Sequence, residues 1–522
     1  MKTLEEVLKD WEAVIGLEVH AELTTLNTKM FCGCKLEFGA EPNTHTCPVC
    51  LGLPGALPVP NKAAIESIVL AGLATNCDIE KHSMFYRKNY MYPDMSKNFQ
   101  TTQGPVAFCM RGHLDLDMDG PGAKERIDLG GLEVGESRGN VTRTEDGYVA
   151  HVGITRIHME EDAGKMVHIG GGEGRIAGAT HSLVDYNRAG TPLIELVTEP
   201  ELRTPEEARL FMQKLRQIYL AIGISDCSME EGSLRCDGNV SLRRRGETKF
   251  GIKTELKNMN SFKNLHDGLA YEICRQAEVL EEGGTIYQET RHWDPSAKRT
   301  IVMRVKETAD DYRLFPEPDL APYDLSDEFI EGVRAKLPEL PDQKAKRFEA
   351  DFGLSAYDAR HLVEHRVTSA FFEEGMKAAA DVKLAKPLAN LVINDITARM
   401  NADESFDLEA SPLTPARAVE LVKMTAEDVI SSKQGKEVFA AVIDEDKDPA
   451  AIVEERGMKQ VSDTGAIEAV VDGVIAANPD EVARYKEGNT KLIGFFVGQC
   501  MKEMHGQGNP KVINQILAKK LG

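Results

Sequence analysis

The sequence predicts an α+β fold in which a mostly antiparallel sheet domain is followed by all-α domains. Residues 233–243 alternate strictly between apolar and polar side chains, which is the period of a β-strand with one buried face. Beyond residue 295 the strand pattern nearly vanishes and helical periodicity continues to the C-terminus. A chain of 522 residues is long enough for several domains, and we expect three, at 1–295, 296–408 and 409–522.

The polar face of the strand at 233–243 carries charges of both signs. Arg235, Asp237 and Asn239 share this face, and the alternation resumes at 250–257, where Lys257 lies on the polar side. A solvated face of an antiparallel sheet is the simpler explanation of such a pattern. Aligned polar side chains of mixed sign also suit a bound polyanion with its metal ion, and we favour this functional interpretation.

Composition and charge exclude several classes of protein. A hydrophobic fraction of 42% and a charged fraction of 28% are ordinary for a globular protein, and no apolar run approaches the length of a membrane span. The N-terminus is acidic and lacks a signal-peptide core, so we expect a cytoplasmic protein without a membrane partner. The net charge of −22 argues against indiscriminate nucleic-acid binding.

The last 32 residues reverse this acidic trend. After position 490 a single acidic residue, Glu503, accompanies five lysines: Lys491, Lys502, Lys511, Lys519 and Lys520. A basic tip on an acidic chain suits a partner that offers few phosphates and is selected by shape. This pattern predicts that the tail makes local contact with a nucleic acid.

Four of the ten cysteines lie in two closely spaced pairs, and the others are scattered. The paired cysteines are Cys32, Cys34, Cys47 and Cys50. Two such pairs suit tetrahedral zinc in a structural knuckle at 32–50, whereas four free cysteines that meet this spacing by chance are the alternative. A closed site with four thiolates leaves no open coordination position, so it organises a loop and does no chemistry.

A glutamate and a histidine share one side of the predicted strand at 14–23. Glu18, His20 and Glu22 have one parity, and apolar residues have the other. A lone histidine is usually structural. A Glu-x-His pair on the polar face of a strand is a more specific candidate for ligands of a divalent metal ion.

Two further predicted strands bring acidic residues toward loops. The strand that begins at 153 runs into three consecutive carboxylates, Glu160, Glu161 and Asp162. Runs of acidic residues are usually solvated, but this one ends a strand beside a glycine, where a metal ion can be reached. The strand at 185–199 carries Arg188 and Glu195 as its distinctive charges.

The segment 85–103 interleaves basic and aromatic residues around a turn at Pro93 and Asp94. Arg87, Lys88 and four aromatic side chains can hold phosphates and stack a base. An exposed loop whose tyrosines pack at its base explains the segment equally well.

Several long motifs, taken in chain order, support a family assignment. They are IGLEVHAEL, RKNYMYPDMSKNFQ, RIHMEEDAGK, DYNRAGTPLIELVTEPE, MEEGSLRCDGNVSLR, ELKNMNSF, MRVKETADDYRLFPEPDL and GFFVGQCMKEMHGQGNP. With these motifs the chain resembles, over essentially its whole length, the B subunits of bacterial glutamine-dependent aspartyl/glutamyl-tRNA amidotransferases, the GatB/GatE family. It departs by having more residues at 444–489 than this resemblance leads us to expect.

The resemblance implies a cradle-shaped catalytic domain, a helical domain and a tail similar to the small YqeY proteins. It implies a cytoplasmic carbon–nitrogen ligase of protein biosynthesis that converts Glu-tRNA(Gln), Asp-tRNA(Asn) or both to the amide. In this family Mg-ATP phosphorylates the side-chain carboxylate, and ammonia then displaces the phosphate. A glutaminase subunit, GatA, releases the ammonia, and the small subunit GatC completes the heterotrimer.

The resemblance also assigns roles to particular residues. It implies that Mg²⁺ is held by the catalytic residues Glu18, His20, Glu161 and Glu195. It makes Arg87, Lys88, Arg188 and Arg235 candidates for holding phosphate or the aminoacylated tRNA end. Three more residues are expected to line the same face: Asp237, Asn239 and Lys257.

Two other functions are compatible with part of these observations. A zinc-knuckle RNA-binding or scaffold subunit without chemistry explains the four cysteines and the basic tip. It does not explain carboxylates and a histidine collected on separate strands. A metal-dependent phosphoesterase uses the same ligands but hydrolyses its substrate without ATP or a glutaminase.

Overall fold

The computed structural model describes residues 2–119, 125–170, 178–305, 312–403, 405–460, 464–504 and 507–522. The chain forms two compact units, Met1–Leu340 and Pro341–Gly522. Among the described helices, none combines the length and apolar character that a membrane crossing requires.

The first unit holds the β-strands of the described chain. They are β1 (Trp11–Glu22), β2 (Asp78–Ile79), β3 (His82–Ser83), β4 (Phe85–Asn89), β5 (Phe99–Gln103), β6 (Cys109–Asp117), β7 (Ser137–Arg138), β8 (Val141–Arg143), β9 (Tyr148–Glu161), β10 (Lys165–Ile169), β11 (His181–Asp185), β12 (Pro192–Thr198), β13 (Leu234–Arg244), β14 (Thr254–Lys257), β15 (Glu289–Asp294), β16 (Arg299–Val305), β17 (Phe315–Pro316) and β18 (Tyr323–Asp324). Fourteen strands form one sheet, whose main path is β16-β15-β14-β13-β1-β12-β9-β5-β4-β17. Its pairings are antiparallel except that of β14 with β15, so the predicted mostly antiparallel sheet is confirmed.

Strand β1 lies in the middle of this sheet. It pairs with β12 on one side and with β13 on the other, and both pairings are antiparallel. The odd-numbered residues Leu17, Val19 and Ala21 are buried, whereas Glu18 and His20 stay partly exposed on the opposite face. The alternation in the sequence therefore predicts the two faces of β1 correctly.

The described part of the first unit also holds five helices: α1 (Leu4–Asp10), α2 (Lys62–Ala74), α3 (Pro205–Ala221), α4 (Phe262–Glu281) and α5 (Asp327–Arg334). The longest two begin at well-formed N-caps, because the hydroxyls of Thr204 and Ser261 accept hydrogen bonds from backbone N–H groups of the first turn. Leu215 of α3 and Leu269 of α4 pack into one hydrophobic core with the apolar face of the sheet. This packing leaves the polar face of β1 and its neighbours available for the site.

The alternating pattern at 250–257 predicts a longer strand than the one that the structure forms. Only Thr254–Lys257 forms a strand, and Phe250 and Ile252 are 56% and 50% exposed. The guanidinium carbon of Arg243 lies 5.6 Å from the centre of the Phe250 ring, so a cation–π contact takes the place of burial.

The sheet also continues beyond residue 295, where the sequence analysis places the end of the first domain. β16 pairs with β15, and β17 pairs with β4. The first unit therefore ends at Leu340 and includes residues that the sequence pattern assigned to the helical domain. A strand as short as Phe315–Pro316 leaves too little periodicity to be recognised in a sequence.

The second unit is helical throughout its described part. Its α-helices are α6 (Pro341–Phe352), α7 (Ala356–Leu362), α8 (Arg366–Ala379), α9 (Ala385–Asn390), α10 (Thr397–Ala402), α11 (Pro415–Ala426), α12 (Ser432–Glu445), α13 (Pro449–Glu455), α14 (Thr464–Ala477), α15 (Pro479–Lys486), α16 (Ile493–Glu503) and α17 (Pro510–Leu521). A π-helical turn, Leu391–Ile396, joins α9 to α10.

Two separate hydrophobic cores lie within this unit. Phe348, Val438 and Ile452 belong to the first core, and Phe496 and Ile513 belong to the second. The predicted boundary between 408 and 409 falls inside the first core. The division of this unit into a helical domain and a tail stays a prediction.

Candidate active site

Four side chains from neighbouring strands meet on the polar face of the sheet: His20 of β1, Glu195 of β12, and His158 and Glu160 of β9. Nε2 of His20 lies 3.4 Å from Glu195 Oε2 and 3.8 Å from Glu160 Oε1. Nε2 of His158 lies 3.3 Å from the same Glu195 oxygen and 3.8 Å from Glu160 Oε2. We call these residues the two-histidine cluster.

The charges of this cluster support one another. Burial opposes protonation of His158, but hydrogen bonds and charge from Glu160 and Glu195 outweigh it and raise the pKa of His158 to about 9. Burial also opposes protonation of His20, and the same two carboxylates raise its pKa. Burial disfavours ionised Glu195 as well, yet the two imidazoles hold its pKa well below the usual range.

The donor set of this cluster fits a divalent cation. Ligand atoms of His20, Glu160 and Glu195 lie within 4.8 Å of one another. Two carboxylates supply the oxygen ligands that Mg²⁺ prefers, and an imidazole adds a nitrogen. Nδ1 of His158 is buried and has no hydrogen-bond partner among the described residues, so this ring is held by its Nε2 side alone.

A second acidic group lies next to the first, at the junction of β1, β13 and β14. It consists of Glu18, Asp237 and Glu255, whose ligand oxygens also lie within 4.8 Å of one another. Asn239 donates to Glu18 Oε1 at 3.0 Å, and Lys257 forms ion pairs with Asp237 and, at 3.6 Å, with Glu255. We call this group the three-carboxylate cluster. It contains or contacts three residues that the sequence analysis expects on this face, namely Asp237, Asn239 and Lys257.

A third group joins two carboxyls to two arginines. Arg235 donates to Asp162 Oδ2 at 2.7 Å, and Nε of Arg188 lies 3.7 Å from the same oxygen. Burial opposes ionisation of Asp162, but the two guanidinium groups hold its pKa below the usual value. Burial and the Asp162 charge raise the pKa of Glu22 to about 8. Both of these arginines, the candidates for holding phosphate or the aminoacylated tRNA end, therefore lie beside the candidate site.

Glu161 has a different environment. Its carboxylate accepts a hydrogen bond from the Thr101 backbone N–H at 2.9 Å and forms an ion pair with Lys97. Gly190 lies above it with φ +87°, and a Cβ atom there would come within 3.7 Å of Glu161 Oε2. These contacts hold the Glu161 carboxylate beside Thr101 and Lys97 and not beside His20.

Of the four ligands implied by the resemblance, the structure brings His20 and Glu195 together. Glu18 lies in the three-carboxylate cluster, and Glu160 occupies the position expected for Glu161. The physical reason is the pleat of β9, since consecutive residues of a strand point to opposite faces and Glu160 and Glu161 cannot both reach His20. Their roles as metal ligands stay predictions.

His158 and Glu255 are absent from the site residues predicted from the sequence. A signal for His158 exists, because His158 and Glu160 have the same parity on β9, as Glu18 and His20 do on β1. Two strands that each carry His and Glu two residues apart can complete one site when they share a neighbouring strand. Glu255 gave no comparable signal, because its strand is four residues long.

The two basic residues of β4 contact residues at 312–319. Arg87 donates to Glu317 at 2.7 and 2.8 Å and to Asp319 at 3.0 Å, so two carboxylates already occupy its guanidinium. Nζ of Lys88 lies 4.8 Å from the centre of the Tyr312 ring. These contacts give both side chains intramolecular partners, and their binding of phosphate stays a prediction.

The four paired cysteines lie together. The sulfur atoms of Cys32, Cys34, Cys47 and Cys50 are within 4.8 Å of one another, an arrangement compatible with a structural metal site. A hydrogen bond from Cys32 and the charge of Lys29 help to lower the pKa of Cys50 to about 5, although partial burial opposes this. A thiol that ionises this readily is suited to bind a metal ion.

Lys29 links the cysteines to the candidate site. It is fully buried, and its Nζ donates to Cys50 Sγ at 3.6 Å and to the Tyr186 carbonyl at 3.0 Å. The loop that begins at Tyr186 carries Arg188, and its Gly190 N–H donates to the Asp162 carbonyl at 2.9 Å. The four-cysteine site therefore supports the loop that presents Arg188.

The C-terminal lysines divide into two classes. Lys511 pairs with Asp428 at 2.8 Å, and Lys520 pairs with Asp472 and Glu468 at 2.6 and 2.8 Å. The other three are exposed and form no ion pair with any described residue: Lys491, Lys502 and Lys519. Intramolecular pairing thus leaves three lysines of the basic tip available to a partner.

Two family models match the chain, one in the sheet-containing unit and one in the helical unit. The model of the GatB/GatE catalytic domain matches residues 13–331, and the model described as GatB domain matches residues 370–521. The chain belongs to the GatB/GatE family. The first match contains every residue of the clusters described above.

Similar proteins extend over the full length of the chain. The B subunit of the aspartyl/glutamyl-tRNA(Asn/Gln) amidotransferase of Carboxydothermus hydrogenoformans is 49% identical over 514 residues, which cover 98% of this chain and 99% of that protein. The corresponding B subunit of Geobacter sp. strain M21 is 48% identical, with 98% and 99% covered. That of Acaryochloris marina is 45% identical, with 100% of both chains covered.

The raised pKa of Glu22 makes a prediction about stability and pH. A carboxyl that binds its proton more tightly in the folded than in the unfolded chain lowers the stability as pH rises from about 4.5 to about 8. Glu22→Gln removes this loss. We expect the variant to be more stable than wild type at pH 9 by on the order of 1–4 kcal/mol and nearly equal to it at pH 5.

Denaturant unfolding of the metal-free protein at pH 5, 7 and 9 measures this difference. Glu374→Gln, at an exposed helical position, is the matched control and should follow wild type at each pH. A Glu22→Gln variant that loses stability with pH as steeply as wild type would contradict the assignment.

Proposed function

We propose that the chain is the subunit of a glutamine-dependent tRNA amidotransferase that carries the amidation site. Its substrate is Glu-tRNA(Gln), Asp-tRNA(Asn) or both, and its product is the corresponding amide. The proposal rests on membership of the family and on relatives named as the B subunit of such an enzyme. The observation that carries it is the two-histidine cluster, which collects acidic and imidazole ligands from separate strands.

The chemistry explains why such a site is needed. A carboxylate is a poor electrophile because an oxide ion is a poor leaving group. ATP with Mg²⁺ supplies the phosphoryl group and the charge neutralisation that turn this oxygen into a leaving group, which ammonia then displaces. His20, Glu160 and Glu195 are the residues that would hold the metal ion, with Glu18 in the adjoining cluster.

The surrounding residues of the chain position these groups. His158 holds Glu195 and Glu160 from the buried side, so both carboxylates keep a fixed orientation toward His20. Arg188 and Arg235 offer guanidinium groups at the edge of the same face, where they can bind a phosphate or the carboxyl of the aminoacylated tRNA end. The Asp162 carboxylate neutralises part of the positive charge of these two arginines.

The proposed assembly contains a glutaminase subunit, GatA, which releases the ammonia, and the small subunit GatC. The four-cysteine site holds a structural Zn²⁺ and, through Lys29, supports the loop of Arg188. The C-terminal lysines contact the tRNA body.

Removal of a cluster residue tests the proposed reaction. His20→Ala or Glu18→Gln should lower ATP-dependent amide formation by at least about a hundredfold, because the ligand set loses a member. The fold and the glutamine hydrolysis of the assembled enzyme should remain. The measurement is amide formation on mischarged tRNA by the complex with GatA and GatC, with ATP and glutamine.

His82→Ala is the matched control, since the His82 side chain is 86% exposed and lies outside the cluster. Full activity of His20→Ala would remove the proposed metal site. If the chain released phosphate from a substrate or hydrolysed tRNA when no ATP was present, the phosphoesterase function would be favoured over amidation.

Loss of the paired cysteines should affect stability more than turnover. Cys47→Ser combined with Cys50→Ser removes two of four thiolates, so we expect loss of about one zinc per chain and a lower unfolding temperature. Elemental analysis and thermal unfolding measure these changes. The control for zinc content is Cys77→Ser with Cys274→Ser, two buried cysteines outside the cluster, which should keep about one zinc per chain. An equally stable wild type without zinc would contradict the proposal.

The exposed lysines of the tail should contribute to tRNA affinity. Replacement of Lys491, Lys502 and Lys519 by alanine should weaken tRNA binding. It should also make the slope of log affinity against log salt concentration less steep, by the equivalent of up to about three phosphate contacts. Glutamine hydrolysis should be unchanged. The double variant Lys511→Ala, Lys520→Ala is the control, because those ammonium groups are already paired. An unchanged salt slope in the triple variant would mean that these lysines do not touch tRNA.

A further inference from the structure

A cavity lies at the other end of β1 from the candidate active site. It has a volume of about 420 Å³, and its walls include Trp11 and Glu12, the first residues of the strand. Glu12 precedes Glu18 by six positions, which corresponds to roughly 20 Å along a strand. Residues between 126 and 141, which follow β6 and precede β9, form another part of the wall. No residue of the clusters described above lines this cavity.

The walls combine an apolar surface with a concentration of arginine. Five arginines line it: Arg126, Arg138, Arg203, Arg243 and Arg245. The lining contains two carboxylates, Glu12 and Asp128. The apolar part comes from Leu8, Trp11, Ile127, Leu129, Leu132 and Val141. Such an excess of positive charge is notable in a chain whose net charge is −22.

Internal contacts balance part of this charge. Nε of Arg203 donates to Glu12 Oε1 at 2.9 Å, and Nε of Arg243 donates to Glu12 Oε2 at 3.0 Å. Two guanidinium groups thus share one carboxylate. Their charge holds the pKa of Glu12 below the usual range, although burial opposes this. The group of three keeps a net positive charge at neutral pH.

Two other arginines have no carboxylate partner among the described residues. Arg138 donates to the Gly130 carbonyl at 2.9 Å, and Arg245 donates to the Leu8 carbonyl at 2.8 Å. Both side chains are exposed at the rim. A single backbone hydrogen bond leaves most of the five N–H donors of each guanidinium available, and this geometry suits a phosphate group.

The floor of the cavity is rigid and apolar. The Trp11 indole is 6% exposed, its Nε1 donates to Glu281 at 3.2 Å, and the Arg244 guanidinium covers one face of its ring at 3.9 Å. A floor fixed on these sides does not need to reorganise around a ligand. The volume lies within the range of sites for small molecules.

We propose that this cavity binds a nucleoside di- or triphosphate, with its phosphates on Arg138 and Arg245 and its base against the apolar wall. Two guanidinium groups with no carboxylate partner among the described residues, Arg138 and Arg245, match a ligand that carries more than one negative charge at neutral pH. An extended nucleic acid fits less well, because a chain with a net charge of −22 repels a long polyanion. The site requires no metal ion, since arginines supply its positive charge.

Titration of the full chain with ADP in the presence of EDTA tests the proposal. The chelator removes divalent ions, so that nucleotide binding at the two-histidine cluster is suppressed. We expect one ADP per chain by isothermal titration calorimetry. The variant Arg138→Ala, Arg245→Ala should bind ADP at least about tenfold more weakly. Arg138→Glu alone provides a second test, because it removes one exposed side chain and reverses its charge.

The matched control is Arg334→Ala with Arg366→Ala, two exposed arginines outside the cavity, and it should bind ADP as wild type does. Weaker binding of pyrophosphate than of ADP would support the contact of the base with the apolar wall. Absence of ADP binding to wild type, or binding as tight as wild type by both Arg138→Glu and the double variant, would overturn the proposal.

Two further outcomes would assign the binding elsewhere. Loss of EDTA-resistant ADP binding in His20→Ala would place the nucleotide at the candidate active site and overturn the proposal. Tighter binding of a short RNA duplex than of ADP, lost in the double variant, would replace the nucleotide by an RNA backbone. Neither outcome depends on the amidation reaction, so the proposal can fail while the proposed function stands.

Discussion

The register of β1 against its two neighbours is the constraint on which the candidate site depends. His20 lies opposite Glu195 of β12 on one side and Arg235 of β13 on the other. A slip of one residue would turn His20 into the core and bring Val19 to the polar face. Such a slip is costly because Leu17 and Val19 are almost completely buried among the side chains beneath the sheet. The hydrophobic core therefore determines the geometry of the polar face.

Buried charge is the cost of this arrangement. Glu160 and Asp162 are 4% and 6% exposed, and a carboxylate removed from water to that degree is destabilising unless cations compensate it. Each acidic group accordingly has a basic partner from another strand: two imidazoles in the two-histidine cluster, Lys257 in the three-carboxylate cluster, and Arg235 beside Asp162. Apolar residues would pack there at lower cost, so the retention of so many charges favours a function in chemistry over one in folding.

The four-cysteine site contributes to the same face through a continuous set of contacts. Lys29 is completely buried between Cys50 and the Tyr186 carbonyl, and the backbone of Met30 donates to the Gly190 carbonyl at 2.8 Å. The loop from Tyr186 to Gly190 is thereby held at both ends. The four-cysteine site can in this way fix the position of the Arg188 guanidinium.

The sequence by itself determined the features that depend on local periodicity and spacing. The two faces of β1 and the cysteine quartet could both be read from neighbouring residues. Each of these signals is contained in a short window, where the period of the backbone decides which side chains share a face. The motifs also carried the family assignment, which the comparisons confirm.

Only the tertiary structure decided which of these residues meet. The pleat of β9 selected Glu160 over Glu161 as the neighbour of His20, and the fold brought Glu317 to Arg87 across 230 positions of sequence. The pairing of β17 with β4 likewise extended the sheet unit to Leu340. Contacts of this kind depend on strand order and register, which long-range packing fixes and which no local period encodes.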